Sequence, residues 1–576
     1  MDLLSAENLM SVVIRPRRSG DVAPQSCGKC RLVFLAMAGF EESPERIDDV
    51  SSAPRSIRAV ALGAVVLGVL LRFASRSPMW LDEALTVNIS RLPITGGALV
   101  DGHYGASSNI LEALRHDGHP PLYYVLLHGW MEVFGTSNLA VRSLSGLFGD
   151  MCLPLAFIIG RRRGGSLLGW IAVAVVALSP FAVRYSDEAR MYSLVMLLVF
   201  VGWLLLDDLF RSRRAGIGWY AALAVITASL LYTQYWSLWL GAALGLVMLW
   251  LAFRSSDPVI RGTARRVIGS LLVGIVLFVP WLPTMLYQSA HTGTPWATPM
   301  RPTAMVAWNL CVFAFGDYPD AALFAGVMLI MILLALFGYG RTRSSLEVQF
   351  RPRRQFAAEG LVVILVLGIS SVMSFIAGAG YAPRYASVYF PLVAVIVAAG
   401  ITRFIAPRIR LAVMLIVLLP MLGGSVLSAR DTRSQAREIV DAIGDSVGQT
   451  GDILVVCPDQ LGPSISRELD LRSSGSLGLT SFSYPDSGDI HFVDWVDYKQ
   501  RNDAADPTAF AKDVVSRAGA SPGRSVFFVW NGGYRTFDGD CEAIAAVLGS
   551  EMSGVEILES DSSAFEHASL IQYQSR

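Results

Sequence analysis

Charge is what this sequence has least of: of 576 residues only 16% are Asp, Glu, Lys or Arg, against 53% hydrophobic residues and a mean hydropathy of +0.48. Soluble chains carry about a quarter charged residues, so this composition excludes a soluble multidomain protein and makes the bilayer the solvent. Basic and acidic residues balance at 47 each, which removes any bulk electrostatic case for nucleic acid or an acidic partner. Cysteine is scarce too. Cys27, Cys30, Cys152, Cys311, Cys457 and Cys541 are too scattered for a disulfide framework, and two of them lie in apolar runs where cysteine acts as a small hydrophobe. Cys457 and Cys541 could pair if the tail is exported. Cys27-Gly-Lys-Cys30 has no second pair and no nearby histidines, so it is assigned no metal. Residues 1–54 hold one short apolar patch, at 32–40, and lack a signal-peptide cleavage pattern. They read as a disordered cytosolic extension, or as sequence upstream of the true start codon.

Apolar runs of about 17 to 22 residues, long enough to cross the hydrocarbon core, are abundant. Eleven recur, near 57–75, 139–160, 166–183, 190–206, 217–234, 236–253, 267–284, 321–339, 358–377, 387–405 and 410–428. The segment 121–134 is apolar but short, begins Pro-Pro and carries His128, and reads as an interfacial helix. Arginine placement tests that choice, because short cytoplasmic loops hold the basic excess. Clusters around Arg162, Arg213, Arg265, Arg353 and Arg408 fall in alternate loops, whereas the opposite loops hold isolated residues such as Arg184, Arg301 and Arg384. Counting 121–134 as a span would invert every later loop. The amino terminus is therefore expected in the cytoplasm and the chain beyond 428 outside the cell membrane.

The expected architecture is an all-α polytopic bundle over 55–429, with the loop 76–138 exported, followed by a small exported α/β domain at 430–576. In that tail, 451–457 and Ser525-Val-Phe-Phe-Val-Trp530 read as buried strands with turn signals. Neither Gly pair there forms a phosphate loop.

Chemistry is suggested where the chain leaves the first span, at Met79-Trp80-Leu81-Asp82-Glu83-Ala84. Two adjacent acids so close to a span, with a tryptophan at interface depth, ask for a functional reason, although a solvated loop with an aromatic anchor has the same signature. Further on comes His116-Asp117-Gly118-His119-Pro120-Pro121-Leu122-Tyr123-Tyr124, in which His-Pro-Pro also suits a plain helix entry. The second exported turn reads Arg184-Tyr185-Ser186-Asp187-Glu188-Ala189-Arg190-Met191-Tyr192; interhelical salt bridging is its bland explanation. A third marker is Ala382-Pro383-Arg384-Tyr385, where a guanidinium can snorkel or hold a lipid phosphate.

Together these stretches resemble the GT-C superfamily, with glycosyltransferase family 39, protein O-mannosyltransferases and lipid A aminoarabinose transferases closest in pattern. The likeness covers roughly 57–430 and is strongest over 78–200; the tail resembles no catalytic domain. The resemblance implies a lipid-phosphosugar-dependent glycosyltransferase, a hexosyl- or pentosyltransferase that moves a sugar from a polyprenyl phosphate to a lipid, glycan or protein acceptor of the cell envelope, with inversion. By position Asp82 matches the family's catalytic carboxylate and is the expected general base, with Glu83 orienting it or binding the acceptor. A like charge alongside raises a carboxylate's proton affinity. Asp187, Glu188 and Arg190 would complete the pocket, His119 would place the interfacial helix or a substrate hydroxyl, and Arg384 with Tyr385 would meet the donor phosphate. Some relatives use a divalent metal; Asp82, Glu83 and Asp187 could offer hard oxygens to Mg²⁺ or Mn²⁺, and the sequence assigns no metal site. Two other classes stay open: a polytopic lipid or solute carrier, against which the lack of an internal repeat counts, and a catalytically inactive membrane protein that binds envelope material.

Overall fold

The computed structural model describes residues 11–14, 53–96, 109–211, 216–292, 299–343, 345–350, 352–377, 380–446, 451–472, 478–486, 488–519, 523–534, 536–537 and 539–576. The Cys27/Cys30 pair and nearly all of the expected amino-terminal extension lie outside the described residues.

Each of the eleven apolar runs falls on a helix. Among the described residues, six helices are long and apolar enough to cross a membrane: Asn138–Leu178, Tyr192–Arg211, Ser237–Arg254, Pro258–His291, Gln355–Ile376 and Pro407–Arg430. Shorter apolar helices cover Ile217–Thr233, Pro302–Ala314, Ala321–Phe337 and Phe390–Ile401, and the first, Arg55–Leu71, has 17 residues. Pro302–Ala314 was not expected as a helix; it lies within the loop 285–320.

Helix Asn138–Leu178 holds two of the expected spans, and its break is chemical. Gly165 takes φ +74 beside Gly164 at φ −153, a reversal that a side chain would strain. A Cβ on Gly160 would meet Gly169 Cα at 2.9 Å, so the two arms pack backbone against backbone through small residues. All twelve residues of Phe390–Ile401 are buried, as suits a helix that is apolar all round and sits at the bundle's centre. It lies against Asn138–Leu178 and Ala321–Phe337.

Three short helices, Leu81–Arg91, Ile110–Asp117 and Leu122–Phe134, gather at one end of the bundle. Leu122–Phe134, at 13 residues, is too short to span. It buries Tyr123, Tyr124, Leu127 and Met131 while exposing Val133 and Phe134, the two-faced pattern of a helix that lies along a surface.

Beyond Arg430 the chain builds a five-stranded mixed sheet in the order Thr480–Ser483, Ile453–Cys457, Ser525–Trp530, Ser569–Ser575, Met552–Leu558. The first three strands are parallel, and the last two pair antiparallel. Every residue of Ile453–Cys457 is buried, as a strand covered on both faces requires. Cys457, at its end, is disulfide-bonded to Cys541. This layer rests on the helices at the bundle's end through Arg91–Asp470 at 2.5 Å, His116–Asp494 at 2.9 Å and His291–Asp497 at 3.1 Å.

Candidate active site

Helix Leu81–Arg91 begins one residue after Trp80 and carries Asp82 and Glu83 in its first turn, where negative charge complements the helix dipole. Consecutive helical residues point about 100° apart, so the two acids meet different partners.

Glu83 is wholly buried. Arg142 donates to it with two nitrogens at 2.7 Å, Nε to Oε1 and Nη2 to Oε2; the Ala189 amide donates to Oε1 at 3.0 Å and Arg433 Nη1 to Oε2 at 3.4 Å. Burial opposes its charge, but Arg142 and Arg433 more than offset it and hold the carboxyl well below the usual range. Arg433 extends the cluster to the second loop, where its Nη1 donates to the Asp187 carbonyl at 2.6 Å and its Nη2 meets Asp187 Oδ2 at 3.3 Å. Asp187 is nonetheless pushed up to about 7, because burial outweighs Arg433 and Arg142. Glu188 lies 3.4 Å from Arg184 Nε, and burial raises it as well.

Asp82 keeps 19% of its side chain exposed. Its Oδ2 lies 3.1 Å from Arg384 Nη1 and 3.8 Å from Arg190 Nη2. Arg190 donates to Thr86 Oγ1 at 2.7 Å and to the Asp82 carbonyl at 3.2 Å, which ties it to the helix that bears the acid. His119 Nε2 stands 2.9 Å from Arg190 Nη2, and His119 Nδ1 stands 2.8 Å from Asp117 Oδ2. A guanidinium can only donate, so Nε2 accepts and Nδ1–H donates to Asp117, which assigns the neutral tautomer. Tyr124 Oη donates to the same Asp117 oxygen at 2.8 Å. Burial would raise Asp117, but His119 and Arg190 prevail and lower it.

Arg384 opens the 3-10 helix Pro383–Val388 and sits about equidistant from two rings, 6.0 Å from the Trp80 centroid and 5.9 Å from Tyr385. Tyr385 stacks on Trp236 at 4.7 Å. The fold thus brings Asp82, His119, Arg384 and Tyr385 to one partly open rim with Arg190 buried beneath it, and gathers Glu83, Asp187 and Glu188 behind it in a buried ion cluster. The candidate metal donors do not share one point: Asp82 faces Arg384, Glu83 is filled by Arg142, and Asp187 lies on Arg433. Among the described residues no three His, Cys, Asp or Glu side chains form a metal-sized group.

Sequence reasoning passed over Arg142, Arg433 and Glu566. Arg142 had a usable signal, a lone cation just inside an apolar run that must find an acid. Arg433 follows the last span and Glu566 lies in a strand-connecting turn, and nothing local marks either. Glu566 Oε2 accepts from the Leu81 amide at 2.8 Å and Oε1 from the Ser434 hydroxyl at 2.9 Å.

No protein-family model matches the sequence, and no curated protein matches it either. Among solved structures, the chain is similar to ArnT from Cupriavidus metallidurans in the apo state, with a TM-score of 0.56 and 13% identity over 89% of this chain and 97% of that one. The same protein bound to undecaprenyl phosphate gives 0.55 at the same identity and coverage. An Archaeoglobus fulgidus oligosaccharyltransferase gives a looser 0.46, at 10% identity over 88% of this chain and 73% of that one. At 13% identity the ArnT likeness shows the fold alone: over most of its length this chain shares the fold of that protein.

Proposed function

We propose that this protein transfers a sugar from a polyprenyl-phosphate donor to an acceptor in the cell envelope, with Asp82 as general base. The observation that carries the reading is the 3.1 Å contact between Asp82 and Arg384. A partly exposed acid and a partly exposed cation, brought together from distant loops, match the two demands of an inverting displacement. The acceptor hydroxyl attacks the anomeric carbon and passes its proton to Asp82, while the bond from sugar to phosphate breaks and Arg384 takes up the charge left on the phosphate. A donor phosphate competes for Arg384 and thereby frees the Asp82 oxygen that the guanidinium neutralises.

Glu83, expected from sequence to orient Asp82 or bind the acceptor, is better read in the first of these roles, as a positioning residue, because donors occupy both of its oxygens. Asp187 is held by the same cluster and takes that role as well, with Glu188 beside it. His119, fixed by Asp117, holds Arg190 against the Asp82 turn. Tyr385 supports Arg384 and links it to Trp236.

A cavity of about 1320 Å³ within the bundle favours a lipid-borne donor. Its lining includes Leu206, Leu230 and Leu238, with Ser237 and Leu238 directly following Trp236 in the chain. Neither Tyr385 nor Arg384 lines this cavity, whose charged lining is Arg163, Asp207, Arg211, Asp257, Arg353 and Glu359; its link to the rim runs through Ser237, next in the chain to the Trp236 ring on which Tyr385 stacks. ArnT has been captured with undecaprenyl phosphate, which makes that carrier the first donor backbone to try. The Cys457–Cys541 disulfide suits an oxidising compartment and, with the arginine clusters, supports an extracytoplasmic site end and tail. We take 55–429 as the transferase body and 430–576 as an exported α/β domain upon it.

The test is to incubate membranes with labelled mannosyl- and arabinosyl-undecaprenyl phosphate and to identify the labelled product. Transfer by the wild type and its loss in Asp82→Asn are expected. Movement of the lipid across sealed vesicles with its sugar-phosphate bond intact would instead favour a carrier.

A further inference from the structure

The first turn of the Asp82 helix cannot satisfy itself. A helix leaves its first amides without internal partners, and Trp80, at the cap position, offers no side-chain acceptor. The Trp80 carbonyl accepts from Glu83 and Ala84, which leaves the Leu81 amide to be met from elsewhere. It is met from the far end of the chain, by Glu566, 485 positions away.

The turn 559–568 joins two antiparallel strands of the tail sheet. Glu566 is locked within it: its amide donates to the Arg433 carbonyl at 2.9 Å, its carbonyl accepts from the Gln435 amide at 2.9 Å, and its Oε1 takes the Ser434 hydroxyl. Next to it, Phe565 packs edge-on against Trp80 at 5.2 Å, and Trp80 presents its ring to Arg384. One turn therefore grips both residues that precede Asp82, and touches the support of Arg384. A buried carboxylate is a costly way to hold two elements together if only packing is needed. At a helix N-terminus it does something an apolar contact does not: it fixes the position and angle of the first turn, where Asp82 sits.

We infer that the tail turn 559–568 is a positioning element of the active site, in which Glu566 clamps the amino-terminal end of the Asp82 helix. The inference rests on the reading of Asp82 as the base. It gives the tail, which resembles no catalytic domain, a task within the reaction: a domain whose turn is displaced leaves the acid misaligned with Arg384.

The experiment uses the purified full chain in detergent with whichever of the two undecaprenyl-phosphate sugars the wild type turns over. Glu566→Ala is expected to lower kcat about 10- to 50-fold per folded molecule, with the donor KM within twofold. Glu566→Gln, whose amide oxygen can still accept from Leu81, is expected to recover to within about threefold of wild type. Ser434→Ala, which removes one donor to the outer oxygen, should lower kcat about threefold and serves if Glu566→Ala fails to fold. Independently of any sugar, hydrogen exchange across 81–91 should rise in Glu566→Ala or, failing that, in Ser434→Ala, while exchange across the strand 453–457 stays as in wild type. Unchanged kcat in the alanine variants, equal defects in Ala and Gln, or unchanged exchange at 81–91 overturns the clamp. Transfer retained by Asp82→Asn would overturn the underlying reading instead; a dead Asp82→Asn beside a fully active Glu566→Ala removes the clamp alone.

Discussion

Asp82 and Glu83 are neighbours in one helical turn, yet one stands at an open rim and the other in a sealed ion cluster. Glu83 has a complete set of donors, Arg142, Arg433 and the Ala189 amide, and is wholly buried. A carboxylate so satisfied gains little from a proton and has no oxygen to offer a substrate. Asp82 has only ion-pair partners from other loops, the buried Arg190 and the partly exposed Arg384. The contrast teaches that two acids side by side in one turn meet an open and a sealed environment according to which face of the helix each occupies.

Exchanging the charges one at a time tests that division. Asp82→Asn should reduce transfer by about 10³-fold, within the range for loss of a positioned base, while its melting temperature stays near that of wild type. Glu83→Ala should do the reverse in kind. It strips a buried cluster of its shared acid, at a cost of about 3–5 kcal/mol, so the expected readout is a large fall in melting temperature and in folded yield. A Glu83→Ala protein that melts normally but transfers no sugar would erase the distinction. Arg384→Ala should raise the donor KM about 10- to 100-fold, as a charge-assisted phosphate contact is lost. Arg384→Lys should recover only part of this, because an ammonium cannot reproduce the planar fork; an unchanged donor KM in Arg384→Ala counts against the phosphate role.

The same contrast marks how far the sequence could be read. Apolar helices were legible because hydrophobic length is a local property, and the loop acids stood out because charge beside an apolar run is rare. The Gly164–Gly165 reversal lies between the runs 139–160 and 166–183. What stayed hidden were long-range partners: Arg142 for Glu83, 59 positions away, Arg433 for Glu83, 350 away, and Glu566 for Leu81, 485 away. Each of these depends on the packing of the tail onto the loop or of one helix against another, and no periodicity encodes that. Adjacency also left the role of Glu83 open between orienting Asp82 and binding the acceptor, a choice that depends on which way the helix turns each acid.

The finest probe of the comparison is the dependence of stability on pH, because the buried cluster titrates in two directions. Asp187 moves from 3.8 to about 7 on folding, chiefly through burial, so the folded protein holds this proton more tightly than the unfolded chain. Its contribution is fully present below about pH 3.8 and is lost as pH rises through about 7. Glu566, raised from 4.5 to about 7 by burial, acts in the same direction. Glu83, lowered, contributes stability that is lost only as the solution becomes more acidic than its ordinary range. Asp459, raised to about 7 by burial, and Glu188, also raised by burial, pull the same way, so between pH 5 and 8 the melting temperature in detergent should fall modestly as pH rises. Asp187→Asn should flatten part of that slope and Glu566→Gln a further part. A slope that neither substitution changes would show that neither Asp187 nor Glu566 takes up a proton on folding.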